Sequence, residues 1–118
     1  MKLVLPVEPK PQARPRFGGG HAYEPSAIRT YKTAVGFAAR SAMAGVEPMT
    51  APIAVVVKCY RNFKPASRRY GDADNLLKAV LDALNRVVWR DDAQVVRATV
   101  EKLQSPTPRL EIEIMPVE

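Results

Sequence analysis

The chain contains five aspartates, and all of them fall between Asp72 and Asp92. Solvated acidic residues are normally scattered, so this clustering is the feature of the sequence best suited to chemistry. Asp72 and Asp74 straddle a loop-to-helix junction, and Asp91 and Asp92 follow Trp89 at the aromatic end of the same helix. One carboxylate suffices to cap a first turn and complement the helix dipole, so the Asp-Ala-Asp-Asn run leaves polar oxygen that capping does not require. Carboxylates brought together repel one another, with raised pKa values, unless a cation sits between them. With one cysteine, one histidine and otherwise oxygen donors, the fitting cation is hard and divalent, Mg²⁺ with Mn²⁺ as a substitute, rather than zinc. Such an ion in a basic protein points to phosphodiester chemistry: it activates a water and stabilises the leaving oxygen, while Lys78 would neutralise charge developing on the phosphate. The alternative for Lys78 is an i,i+4 helix pair with Asp74, and spacing alone does not separate the two readings. His21, in a glycine loop, reads as a polar loop residue.

The charge balance selects the partner. Eighteen Lys and Arg against twelve Asp and Glu give a formal net charge of +6, a surface that favours polyanions. Residues 1–70 hold twelve basic and three acidic residues, whereas 71–118 hold six and nine. A proline- and glycine-rich stretch carries Lys10, Arg14 and Arg16 with Phe17, His21 and Tyr23 interleaved, and a second basic loop carries Arg61, Lys64, Arg68 and Arg69. Together with Arg29 and Lys32, Lys10, Arg14, Arg16, Arg68 and Arg69 are the candidates for contacting such a polyanion, and the DNA-binding residues if it is DNA.

The elements that must position these groups follow from periodicity. A chain of 118 residues is one domain, 1–118, long enough to bury roughly two-thirds of its unfolded surface. Leu3 to Val7 predicts a first strand, after which the prolines and Gly18-Gly19-Gly20 forbid regular structure up to about Pro25. Ser26 caps a helix with Ile28, Tyr31, Val35, Ala38 and Ala42 inward, ending near Gly45. Arg29, Lys32, Gly36 and Arg40 fall on its opposite, solvated face. Residues 52–61 form a near-continuous apolar run, a central strand buried on both faces, in which Cys59 is a structural thiol without a disulfide partner. A second helix runs from about Asp74 to Val88 with Leu77, Val80, Leu81, Leu84 and Val88 inward. Residues 95–103 and 110–114 alternate as half-buried strands, and Ser105-Pro106-Thr107-Pro108 suits a hairpin between them. The order is β-α-β-α-β-β, an α+β domain with a mixed sheet and two helices. The N-terminal apolar stretch is too short for a signal peptide and no run approaches a membrane span, so the expected location is cytoplasmic, with no membrane partner.

The run Asp72-Ala-Asp74-Asn75-Leu76-Leu77-Lys78, then Asp82-Ala83-Leu84, then Asp91-Asp92-Ala93-Gln94-Val95, resembles the signature of the RusA-type Holliday junction resolvases, small homodimeric Mg²⁺-dependent endonucleases of phages and prophages. Arg14-Pro15-Arg16-Phe17 with Tyr23 and Pro25 resembles the basic loop of many members. Arg86 departs from the pattern, standing where many members have a glycine closing the helix. The resemblance implies that Asp72, Asp74 and Asp92 are the catalytic metal-binding aspartates, Lys78 the functional lysine and Asp91 an auxiliary metal ligand. It also implies a homodimer that resolves four-way junctions by symmetric paired nicks during recombination and repair, leaving 5′-phosphate and 3′-hydroxyl ends. Two alternatives stand beside it: a broader branched-DNA or flap nuclease sharing the site, and a catalytically silent DNA-binding module. Retention of Asp72, Asp74, Lys78 and Asp92 argues against the silent module, because binding phosphate gains nothing from acidic residues.

Helix geometry adds a constraint. From Asp74 to Val88 a helix rises ~1.5 Å per residue, placing the two carboxylate groups about 20 Å apart at its ends. If they share a metal site, the helix is shorter or kinked, or a two-fold dimer supplies the missing ligand.

Overall fold

A computed structural model describes residues 1–13 and 16–117, with the side chain of Arg16 excepted. The elements run β1 (Lys2–Leu5), β2 (Arg16–Gly18), β3 (His21–Tyr23), α1 (Ser26–Met43), β4 (Ile53–Arg61), α2 (Ala73–Leu84), a 3₁₀ turn (Asp92–Gln94), β5 (Val95–Gln104) and β6 (Arg109–Pro116). The main sheet has the order β1-β6-β4-β5, with β4 parallel to β5 and antiparallel to β6, so it is mixed as expected. A parallel pair needs a crossover connection, and α2 supplies it between β4 and β5.

Both helices lie on one face of the sheet. Leu3 and Leu5 of β1, Val55, Val57 and Cys59 of β4, and Leu110, Ile112 and Ile114 of β6 form the buried row beneath them. The other face is open and polar, with Glu111 held between Lys2 and Arg109.

The expected order of elements is observed, with several differences of detail. The first strand stops at Leu5. The stretch expected to be irregular contains the β2–β3 hairpin, whose turn residues Gly19 and Gly20 take φ of 59° and 86°. That pair of positive angles is what a two-residue type I′ turn demands, and glycine supplies it without strain. Helix α1 starts after Pro25, so Ser26 is its first residue rather than its cap. Its buried row is Ile28, Tyr31, Val35, Ala39 and Met43, one position beyond the expected Ala38 and Ala42 at its C-terminal end. Arg29 and Arg40 of the face expected to be solvated are exposed, but its middle meets α2: a Cβ on Gly36 would stand 3.2 Å from the carbonyl oxygen of Ala83. Periodicity finds a polar stripe but does not reveal that a second helix lies against it.

Helix α2 ends at Leu84, not Val88: Asn85 leaves the helical region with ψ 129°, and Arg86 follows with a left-handed φ of 68°. Its buried residues are Leu76, Ala79, Val80, Ala83 and Leu84, while Leu77 and Leu81 are partly covered. Strand β5 is an edge strand paired with β4 alone; Val96 and Ala98, expected inside, are exposed, while Val95 and Val100 pack against the core. The 105–108 segment makes no hairpin: β4 lies between β5 and β6, and the Ser105 N–H bonds the Arg61 carbonyl at the strand end it crosses. Among the described residues, no helix is long and apolar enough to cross a membrane.

Candidate active site

Asp72 occupies the N-cap position of α2 with extended backbone (φ −79°, ψ 142°), yet its side chain accepts no capping hydrogen bond. Its carboxylate is exposed, and so is that of Asp74 in the first turn. The positive end of the helix macrodipole stabilises both charges without consuming their oxygens. Lys78, one turn further on, makes no ion pair among the described residues, so the local pairing with Asp74 considered from spacing is not formed. Asp82 pairs elsewhere, with Lys32 at 3.1 Å.

This end of α2 is held in place by residues that motif reading passes over. Gly71 has a φ of 97°, and a Cβ there would come within 2.9 Å of the Pro11 ring, so only glycine lets the 8–13 segment pass beside the helix start. The Gln12 N–H then bonds the Asn75 carbonyl at 2.8 Å. Tyr70 is fully buried, its hydroxyl lying between the carbonyls of Cys59 and Leu103 and accepting the Leu103 N–H. The Arg61 guanidinium donates to the Tyr70 carbonyl at 2.7 Å and stacks over Phe63. The loop carrying Arg68 and Arg69 is thereby fastened to the sheet, and both arginines are exposed without an acidic partner among the described residues. A tyrosine-glycine pair directly before the aspartates was the available signal.

Asp92 is set at the other end of the helix. After Leu84 the chain turns back, the Arg86 N–H bonding the Trp89 carbonyl at 2.7 Å. Trp89 is fully buried and its indole N–H donates to Asp92 Oδ1 at 2.8 Å, leaving Oδ2 without a hydrogen-bond partner among the described residues. Asp91 caps the 3₁₀ turn through the Ala93 N–H, with Gln94 closing the box from the other side. The Gln94 amide also donates to the carbonyls of Met49 and Ala51, tying this turn to the segment before β4. Asp91, expected as an auxiliary ligand, thus spends one oxygen on structure.

The twelve residues of α2 rise ~18 Å, so the shorter helix still separates the Asp72–Asp74 pair from Asp92. Among the described residues, no three Asp, Glu, His or Cys side chains gather closely enough to hold a metal ion. The donor chemistry fits a hard divalent cation, all-oxygen and exposed, but the described residues of one chain do not gather three such groups.

Of the expected DNA contacts, Lys10 and Arg29 are exposed, and Arg14 and the side chain of Arg16 lie outside the described residues. Lys32 departs from the expectation. It bridges Glu24 and Asp82, and these hydrogen bonds outweigh the burial that would lower its pKa, so the net shift is upward. Two carboxylates leave it no spare charge for a phosphate.

Residues 6–115 match the endodeoxyribonuclease RusA family, a family of nucleases, over nearly the whole chain, and the chain belongs to it. Among curated relatives, the uncharacterized protein YqaN of Bacillus subtilis strain 168 is 32% identical over 138 aligned positions, covering 99% of this chain and 96% of YqaN. The crossover junction endodeoxyribonuclease RusA of Escherichia coli K12 is 31% identical over 114 positions, covering 95% of this chain and 91% of its own. The enzyme of the same name from Shigella sonnei matches to the same extent.

Proposed function

We propose that this protein is a homodimeric, Mg²⁺-dependent endodeoxyribonuclease that resolves four-way DNA junctions by paired nicks, leaving 5′-phosphate and 3′-hydroxyl ends. The observation that carries the reading is the start of α2. Asp72 sits at a cap position without capping, Asp74 stands beside it, and Lys78 is free of both, in a chain whose family relatives include crossover junction endodeoxyribonucleases.

In this reading Asp72, Asp74 and Asp92 hold the ion, with Asp91 as the auxiliary carboxylate through its remaining oxygen. When bound, the ion supplies an activated water and charge stabilisation at the phosphate. Lys78 places a positive charge beside the same phosphate, and Trp89 keeps the Asp92 carboxylate turned by its hydrogen bond. Because Asp92 lies at the far end of α2, the third ligand comes from a two-fold partner. Antiparallel α2 helices would set Asp72 and Asp74 of one subunit beside Asp91 and Asp92 of the other, making two equivalent sites. Lys10, Arg14, Arg16, Arg29, Arg68 and Arg69 contact phosphates of the junction arms whatever the base sequence.

The test incubates the protein with synthetic four-way junction, flap and linear duplex DNA, with and without Mg²⁺, beside an Asp74→Asn control. Symmetric nicks on the junction that need Mg²⁺ and vanish in the control support the proposal. Equal cleavage of flaps would replace it with a general branched-DNA nuclease. Binding without any cleavage would replace it with a DNA-binding module.

A further inference from the structure

The β2–β3 hairpin stands apart from the main sheet, three residue pairs closed by the Gly19-Gly20 turn. Phe17, at its centre, is 82% exposed, the most exposed large apolar side chain among the described residues. It is paired with Ala22, and since side chains alternate across a strand, these two share one face. One face of the hairpin therefore presents a single aromatic ring with only a methyl group opposite it. On the other face the Tyr23 ring lies across Gly18, where a Cβ would come within 3.0 Å of the ring, and Tyr23 remains 48% exposed. The hairpin is built to display aromatic rings, not to bury them, and its turn and pairing do not depend on Phe17.

The surroundings say what the ring meets. From Lys10 to Tyr23 the sequence has three basic residues and no acidic one. A flat apolar ring flanked in the chain by Arg14 and Arg16 is complementary to a nucleobase on a phosphate backbone, whereas a purely apolar partner would satisfy the ring and leave the charges unmatched. Paired duplex bases offer their faces to one another. At a branch point that stacking is interrupted and a base face becomes available.

We propose that Phe17 is a blade that stacks on a nucleobase exposed at the branch point, and so distinguishes a junction from its duplex arms. The inference rests on the proposed junction-resolving function and names the residue that recognises the branch.

The experiment measures binding of the full-length protein to a four-way junction and to a duplex of its arm sequence across a salt series, without Mg²⁺, for wild type, Phe17→Ala, Phe17→Trp and Phe17→Leu. Loss of one stacked base should weaken junction binding by about tenfold or more, with duplex binding unchanged. The slope against salt should stay as in wild type, because no phosphate contact is lost. Trp should retain junction preference and Leu should lose most of it. An unchanged junction-to-duplex ratio in Phe17→Ala, or Leu equal to Trp, overturns the proposal. So does a shift of Phe17→Ala to a different oligomeric state by sedimentation, which would assign the ring to a contact between copies. If wild type itself shows no junction preference, the proposed function fails. The blade is then read on a duplex with two unpaired nucleotides, where it still requires weaker binding by Phe17→Ala and is overturned by equal binding.

Discussion

Mixing two inactive variants tests the shared site most directly. Two carboxylate oxygens on one divalent ion lie no more than about 5 Å apart, since each sits ~2.0–2.6 Å from the ion. Helix α2 separates its two ends by ~18 Å; the return segment is held at the far end by the Val88 N–H bond to the Leu84 carbonyl and the Arg86 N–H bond to the Trp89 carbonyl, with Asp92 bonded to the Trp89 indole. No side-chain rotation closes such a gap. Asp74→Asn and Asp92→Asn homodimers should each be inactive, every site lacking one ligand. After subunit exchange at equal concentrations about half the dimers are mixed, and in each of these one site carries both substitutions while the other is wild type. About a quarter of all sites then regain activity. The assay follows a four-way junction labelled on each strand in turn, and the recovered product should be a single nick per junction rather than a resolved pair. Fluorescence transfer between differently labelled variants confirms that exchange has occurred. Demonstrated mixed dimers without recovered nicking would refute the reasoning and leave each site within one chain.

Replacing Arg68 and Arg69 together by Ala should lower the slope of log K against log salt by about 1.8 on duplex arms, read by a filter-binding titration, and an unchanged slope would remove that loop from the DNA surface. Trp89→Phe deletes the donor to Asp92 Oδ1; losing a hydrogen bond worth ~0.5–1.5 kcal/mol should slow single-turnover cleavage about two- to tenfold, and the smaller ring, leaving a void in the core, should lower Tm as well. Gly36→Val drives a branched side chain toward the Ala83 carbonyl and Val87, and should cost about 1–3 kcal/mol in urea unfolding. Burial pushes the Cys59 thiol up to about 12, so at pH 8 it stays protonated in the native protein and should react with a thiol reagent only after denaturation.

Much of this protein is legible in its sequence because the signals are local. The apolar run of β4, the alternation of Leu110, Ile112 and Ile114, the stripe of α1 and the aspartates at a helix start each depend on neighbours within a few residues, and period and capping chemistry report them. The β2–β3 hairpin was also local, two glycines with the positive angles a type I′ turn needs, but the surrounding prolines masked it. What tertiary structure decided are the relations between distant segments. That β4 lies between β5 and β6 converts an apparent hairpin into a crossing, since strand pairing is set by which faces bury together and not by chain order. That Lys32 meets Glu24 and Asp82, and Gly36 meets Ala83, follows from how two helices cross over one sheet, which no single helix's periodicity contains. The distance between the two aspartate groups is the clearest case: helix rise made it calculable from sequence, but only the fold, by anchoring Trp89 and Asp92 at the far end of α2, removed the freedom of the connecting chain to bring them back together.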